Sequence, residues 1–157
     1  MKIARLLLLP VFLFTCAGFA EDVGSAVPQG TCCKEACADL IPSYEKIAVA
    51  LAADDLKGAI DGAEDLGLWA ECLGEEDLDR RVADLERSRT IDEARIIFRD
   101  ISKQVIRLAQ WIPGHYVMTC PMAKADWIQT KPEVANPYYG AAMLHCGSIK
   151  ETVGTVE

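Results

Sequence analysis

Apolar residues recur at helical spacing through the first two thirds of the chain, and nowhere there at the two-residue alternation of a strand. Tyr44, Ile47, Ala48 and Leu51 make one stripe, with Pro42 in a first turn. Asp54-Asp55 offers the cap of a second helix lined by Leu56, Ala59, Ile60, Ala63, Leu66 and Ala70, and Gly74 ends it. Leu78, Val82 and Leu85 mark a third helix. Thr90-Ile91-Asp92-Glu93 reads as a capping box opening a fourth, in which Ile91, Ala94, Phe98, Ile101, Val105, Leu108 and Ile112 repeat until Pro113-Gly114. Such a stripe wants partner helices, and the short connections predict antiparallel neighbours. The expectation is an all-α, up-and-down bundle of about four helices with Phe98, Ile101, Val105 and Leu108 buried, followed by an irregular C-terminal segment.

Beyond Pro113 the pattern changes. His115–Met118 is short and β-permissive, Lys124–Lys131 carries Trp127, and Pro132 and Pro137 punctuate the rest. Asn136-Pro137 and Gly147 read as the start and stop of a last helix. That helix would put Met143 and Cys146 on one face, with His145 turned away and the Cys120-Pro121-Met122 loop folded back towards it.

The first residues set the compartment. Lys2 and Arg5 precede an apolar run from Leu6 to Phe14 and then Gly18-Phe19-Ala20, the pattern of a signal peptide cleaved after Ala20. Leu13-Phe14-Thr15-Cys16 imitates a lipoprotein box poorly, so lipid attachment at Cys16 is not expected. No other segment suits a membrane span. The predicted organisation is a leader over 1–20, a flexible Cys-containing lead-in over 21–39 and one domain over 40–150, in a periplasmic or secreted protein. Losing Lys2 and Arg5 takes the net charge from −8 to −10. Phosphate backbones need cationic surfaces, so nucleic acid is excluded as a partner.

Candidate chemistry concentrates in His115–Gly147. This stretch holds both histidines (His115, His145), Cys120 and Cys146, and Met118, Met122 and Met143, the only methionines besides Met1. Thiolate, thioether and imidazole are the ligands that soft ions select, copper(I) first and zinc or silver after it. The competing reading is a Cys120–Cys146 disulfide with methionines filling gaps. Both readings require the two cysteines to be near neighbours. Six cysteines follow the leader, an even number suited to an oxidising compartment, and the Cys32-Cys33-Lys34-Glu35-Ala36-Cys37 cluster favours disulfides, with Cys72 one candidate partner.

Enzymatic signatures are lacking: there is no Gly-rich phosphate loop, Gly-x-Ser-x-Gly elbow, His-Glu-x-x-His helix or Cys-x-x-Cys dithiol. Cys120 with His115 or His145 has no identifiable third group to orient a nucleophile. Glu75-Glu76 and Asp54-Asp55 suit helix starts. No enzyme is expected.

The C-terminal residues also carry a resemblance. Cys120-Pro121-Met122-Ala123, Trp127-Ile128-Gln129, Asn136-Pro137-Tyr138-Tyr139-Gly140 and Met143-Leu144-His145-Cys146-Gly147, in that order, resemble the signature of the domain of unknown function 3347. Helical stretches upstream are similar too, and the likeness runs from about Ile41 to Ile149. Members of that family are exported and helical, alone or appended to periplasmic adaptor subunits of heavy-metal efflux systems. The resemblance implies a periplasmic copper or soft-metal role, with Cys120, Met122, Met143 and Cys146 as candidate ligands and metal-efflux or metal-transfer proteins as partners. His145 lies between matching positions and joins the candidates. With no adaptor domain, this would be a free-standing version. The alternative is a non-enzymatic, disulfide-stapled bundle acting as a protein-interaction module.

Overall fold

The computed structural model describes residues 29–154, and side chains from 39 onward. The expected leader over 1–20, with Cys16, and the side chains of Cys32, Cys33 and Cys37 lie outside the described residues, and with them the question of how that cluster pairs.

Four helices come first: α1 (Gln29–Ala52), α2 (Leu56–Leu73), α3 (Glu76–Glu86) and α4 (Ile91–Ala109). Their ends follow the local chemistry of the chain. The Asp55 carboxylate accepts from the Gly58 amide at 2.9 Å and caps α2. Gly74, at φ 69°, closes that helix in the left-handed region. Thr90 Oγ accepts from the Glu93 amide at 3.2 Å, and Glu93 reaches back to the Arg89 amide at 2.9 Å. The helix α1 begins earlier than the sequence suggests. Residues 29–39, expected as a flexible lead-in, are helical, and Pro42 sits inside the helix instead of in its first turn.

The helices pack in order, α1 on α2, α2 on α3 and α3 on α4, with α1 also against α4. Leu40, Tyr44, Ile47 and Leu51 meet Leu66, Leu78, Val82, Leu85, Phe98 and Ile101 in one buried cluster. Tyr44 stacks on Phe98 with ring centroids 5.1 Å apart. The buried face of α4 is Ala94, Phe98, Ile101, Ser102, Val105 and Ala109. A 3.6-residue period carries the stripe onto Ala109, so Leu108 is only half-buried, contrary to the heptad reading.

The C-terminal third corrects the all-α expectation. It is an antiparallel sheet of β1 (His115–Cys120), β2 (Ala125–Gln129) and β3 (Ser148–Val153), ordered β2-β1-β3. Met118 pairs with Trp127 and Cys120 with Ala125. The strand β2 lies against α4 and α1 and buries Trp127 and Ile128, while β3 is an exposed edge. The expected helix from Asn136 to Gly147 is absent. Its place is taken by turns and one 3-10 turn, Gly140–Ala142. Asn136 spends its side chain elsewhere, and Gly140 at φ 55° breaks helical geometry. Among the described residues no helix is long and apolar enough to cross a membrane.

Polar groups tie the sheet to the helices. Ser102 on α4 meets the Tyr44 hydroxyl at 2.7 Å and the Tyr138 hydroxyl at 3.2 Å, and Tyr138 donates its own proton to the Asp126 carbonyl at 2.7 Å. Burial pushes both tyrosines up, so they remain neutral hydrogen-bonding groups.

Candidate metal centre

The sheet brings together the two cysteines that the sequence separates by 26 positions, with Cys120 Sγ and Cys146 Sγ 3.4 Å apart. A disulfide bond is about 2.05 Å long, so both are free thiols. Cys120 ends β1, buried, where the chain turns through Pro121-Met122-Ala123-Lys124 into β2. Cys146 is half-buried, just ahead of β3. Pairing of β1 with both neighbouring strands therefore closes the site.

Asn136 holds the second half in place and is fully buried. Its backbone amide donates to the Leu144 carbonyl at 2.7 Å, and its side-chain amide to the Cys146 carbonyl at 2.6 Å. Its Oδ1 accepts from the Tyr138 amide at 2.8 Å. Sequence reasoning treated Asn136 as a helix cap and missed this role. The available signal was an Asn-Pro ahead of two tyrosines and a glycine, which suits an Asx turn as well as a cap.

Two glycines permit the close approaches. A Cβ on Gly147, at φ 147°, would sit 2.8 Å from the Thr119 carbonyl oxygen and 2.8 Å from the Trp127 indole. A Cβ on Gly140 would lie 2.2 Å from both the Arg95 guanidinium and the Asp54 carboxylate. Arg95 donates to the carbonyls of Pro137 at 3.0 Å and Leu51 at 2.9 Å, and to Asp54 at 2.5 Å. Asp54 in turn accepts from the Ala141 amide at 3.0 Å. The turn holding Met143 and Cys146 is thereby pinned to the α1–α2 corner.

The thiols are electrostatically unequal. Burial works to raise the Cys120 thiol, but hydrogen bonds from the Ala123 amide, Cys146, the Asn136 side chain and the Met122 amide outweigh it and hold it below the ordinary thiol range. Cys146 is pushed up, first by its hydrogen bond to Cys120 and then by desolvation.

The other candidates are placed less closely. Met122 lies in the turn after Cys120 and is 64% exposed. Met143 is half-buried, and its carbonyl accepts from the Cys146 amide at 3.0 Å. His145 is exposed and its Nδ1 bonds the Val134 carbonyl at 2.9 Å, which leaves Nε2 as the nitrogen with a lone pair. Met118 is wholly buried in the core. His115 begins β1, about 16 Å of strand away from Cys120, buried and with neither ring nitrogen hydrogen-bonded among the described residues. Trp127 and Tyr138 meet edge to face at 6.0 Å beside the thiol pair.

Two sulfurs bound at about 2.3 Å to one tetrahedral ion stand about 3.8 Å apart. The observed 3.4 Å is a few tenths shorter. No group of three or more His, Cys, Asp and Glu side chains converges among the described residues. A cavity of about 680 Å³ between α1 and α2 has none of the sulfurs in its lining.

No family model, curated protein or solved structure matches this chain. The resemblance to the domain of unknown function 3347 gains no support from them.

Proposed function

We propose that this chain is an exported, non-enzymatic protein that binds a soft metal ion, copper(I) ahead of silver and zinc, and buffers it or hands it on in the periplasm. The observation that carries the reading is the 3.4 Å separation of Cys120 and Cys146, with Cys120 biased towards thiolate. Cys120 and Cys146 supply the anionic sulfur. Met122 and Met143, each on the turn adjoining one of the cysteines, supply thioethers that stay unprotonated at any physiological pH, and His145 is a further ligand of the same set. The helices, in an up-and-down arrangement, serve as the rigid support for the sheet and its turns. Metal-efflux or metal-transfer proteins are the partners this role calls for.

The same proximity would suit a disulfide staple in a protein-interaction module, and one experiment separates the two. Protein purified from the periplasm is alkylated with and without copper(I), and the modified cysteines are identified by mass spectrometry. Protection of Cys120 and Cys146 by copper(I), lost in Cys120→Ser, is the expected result. A native Cys120–Cys146 bridge, or equal alkylation in both samples, overturns the proposal.

A further inference from the structure

A second cavity, of about 270 Å³, lies where α4 meets the start of β2 and is lined by Arg99, Lys103, Ile106, Lys124, Ala125 and Asp126. Three cations at one cavity run against the average of a chain with net charge −8. The nearby carboxylates are engaged. Asp126 bonds Lys150 at 2.6 Å, and Asp100 bonds Lys103 at 2.8 Å. Arg99 and Lys124 join no ion pair among the described residues.

Arg99 is also fixed in orientation. Its guanidinium carbon stands 5.9 Å from the centre of the Tyr138 ring, and hydrogen bonds to Ser102 and Asp126 hold that ring. Its Nε is shielded from solvent and has no hydrogen-bond partner among the described residues. Guanidinium N–H groups held in a plane, with lysines lining the same cavity, match the oxygens of a carboxylate or phosphate.

We propose that this cavity binds a small oxyanion, with Arg99 and Lys124 as its principal contacts and Lys103 at the rim. The site shares none of the sulfur ligands and stands or falls independently of metal binding. Lys124 offers a clean test, because its backbone lies at φ 50°, where glycine is at ease. Lys124→Gly therefore removes the charge without straining the turn.

Inorganic phosphate is titrated into the protein at constant ionic strength, and the Arg99 Nε–Hε signal and the amides of Lys124, Ala125 and Asp126 are followed by NMR. The expected result is a saturable shift confined to these groups, with affinity falling about tenfold or more in Lys124→Gly and in Arg99→Gln. A parallel titration with succinate identifies the source: tighter succinate binding assigns a carboxylate, tighter phosphate binding a phosphate. Shifts that never saturate with either anion, or equal affinities in wild type and both variants, reduce the cavity to diffuse screening and overturn the proposal.

Discussion

The side-chain amide of Asn136 donates to the carbonyl of Cys146 at 2.6 Å, so one buried residue links the Asn-Pro-Tyr-Tyr-Gly turn to the sulfur-bearing segment. Replacing Asn136 by Ala strands the Cys146 carbonyl and the Tyr138 amide without partners. A loss of about 1–3 kcal/mol is expected, the usual penalty for a buried polar group left unpaired. The Cys120 thiol should also titrate higher, since Asn136 is among the donors that hold it down. Urea denaturation measures the first effect, and the pH dependence of iodoacetamide alkylation at Cys120 the second. An unchanged alkylation profile would remove Asn136 from the electrostatics of the site.

Gly147 tests the close approach of the two cysteines. Any side chain there meets the Thr119 carbonyl and the Trp127 ring at 2.8 Å, and Thr119 is backbone that β1 holds in place. Gly147→Ala should therefore push Cys146 outward and slow oxidation of the Cys120–Cys146 pair by a small disulfide such as oxidised glutathione. Mass spectrometry of the time course reads this directly. Oxidation at the wild-type rate would show that the segment bends freely around the substitution.

Helical stripes are legible wherever burial is one-sided, and Ile101 shows it. Its neighbours Phe98 and Val105 follow at spacings of three and four, and all three are fully buried. Ile101→Ala should destabilise by about 2–5 kcal/mol, read as a lower denaturation midpoint with an unchanged slope. The sheet was harder to see for equally physical reasons. Ser148–Val153 is exposed on nearly every residue, so no alternation marks it as a strand, and its pairing with β1 is long-range. The nearness of Cys120 and Cys146 was foreseeable from chemistry alone, because a bridge and a metal site both demand it. The means of achieving it was not, since Asn136 caps a turn as readily as a helix and only tertiary contacts decide which.

Acid sensitivity should trace in part to Asp54. The Ala141 amide, and after it Arg95, hold its carboxyl below the ordinary range. A carboxyl depressed in the folded state contributes stability above the unfolded-state pKa of about 3.9, and that contribution is lost as pH falls through the folded value. Asp54 sits at φ 59°, a conformation asparagine tolerates. Asp54→Asn should therefore be less stable than wild type at neutral pH, with the two melting temperatures converging as acid is added. Parallel curves through the acid range would assign the acid sensitivity to other carboxylates.

The methionines decide between chemistry and packing. Met122 is largely exposed and Met143 half-buried, so neither is needed to fill the core, unlike Met118. Replacing both by Leu keeps volume and apolarity, and stability should change by less than about 1.5 kcal/mol for each. If their thioethers complete a copper(I) site begun by Cys120 and Cys146, affinity should still fall, by about tenfold or more for the loss of soft ligands. The fall should appear in a competition titration against a copper(I) chelator and leave the thermal midpoint of the metal-free protein nearly unmoved. Protonation adds a second reading, since thioethers keep their lone pairs in mild acid while Cys146 holds its proton more tightly than an ordinary thiol. Lowering the pH should then weaken the double variant more than wild type. Equal affinities at every pH would return both methionines to packing and leave the thiol pair to bind or bridge on its own.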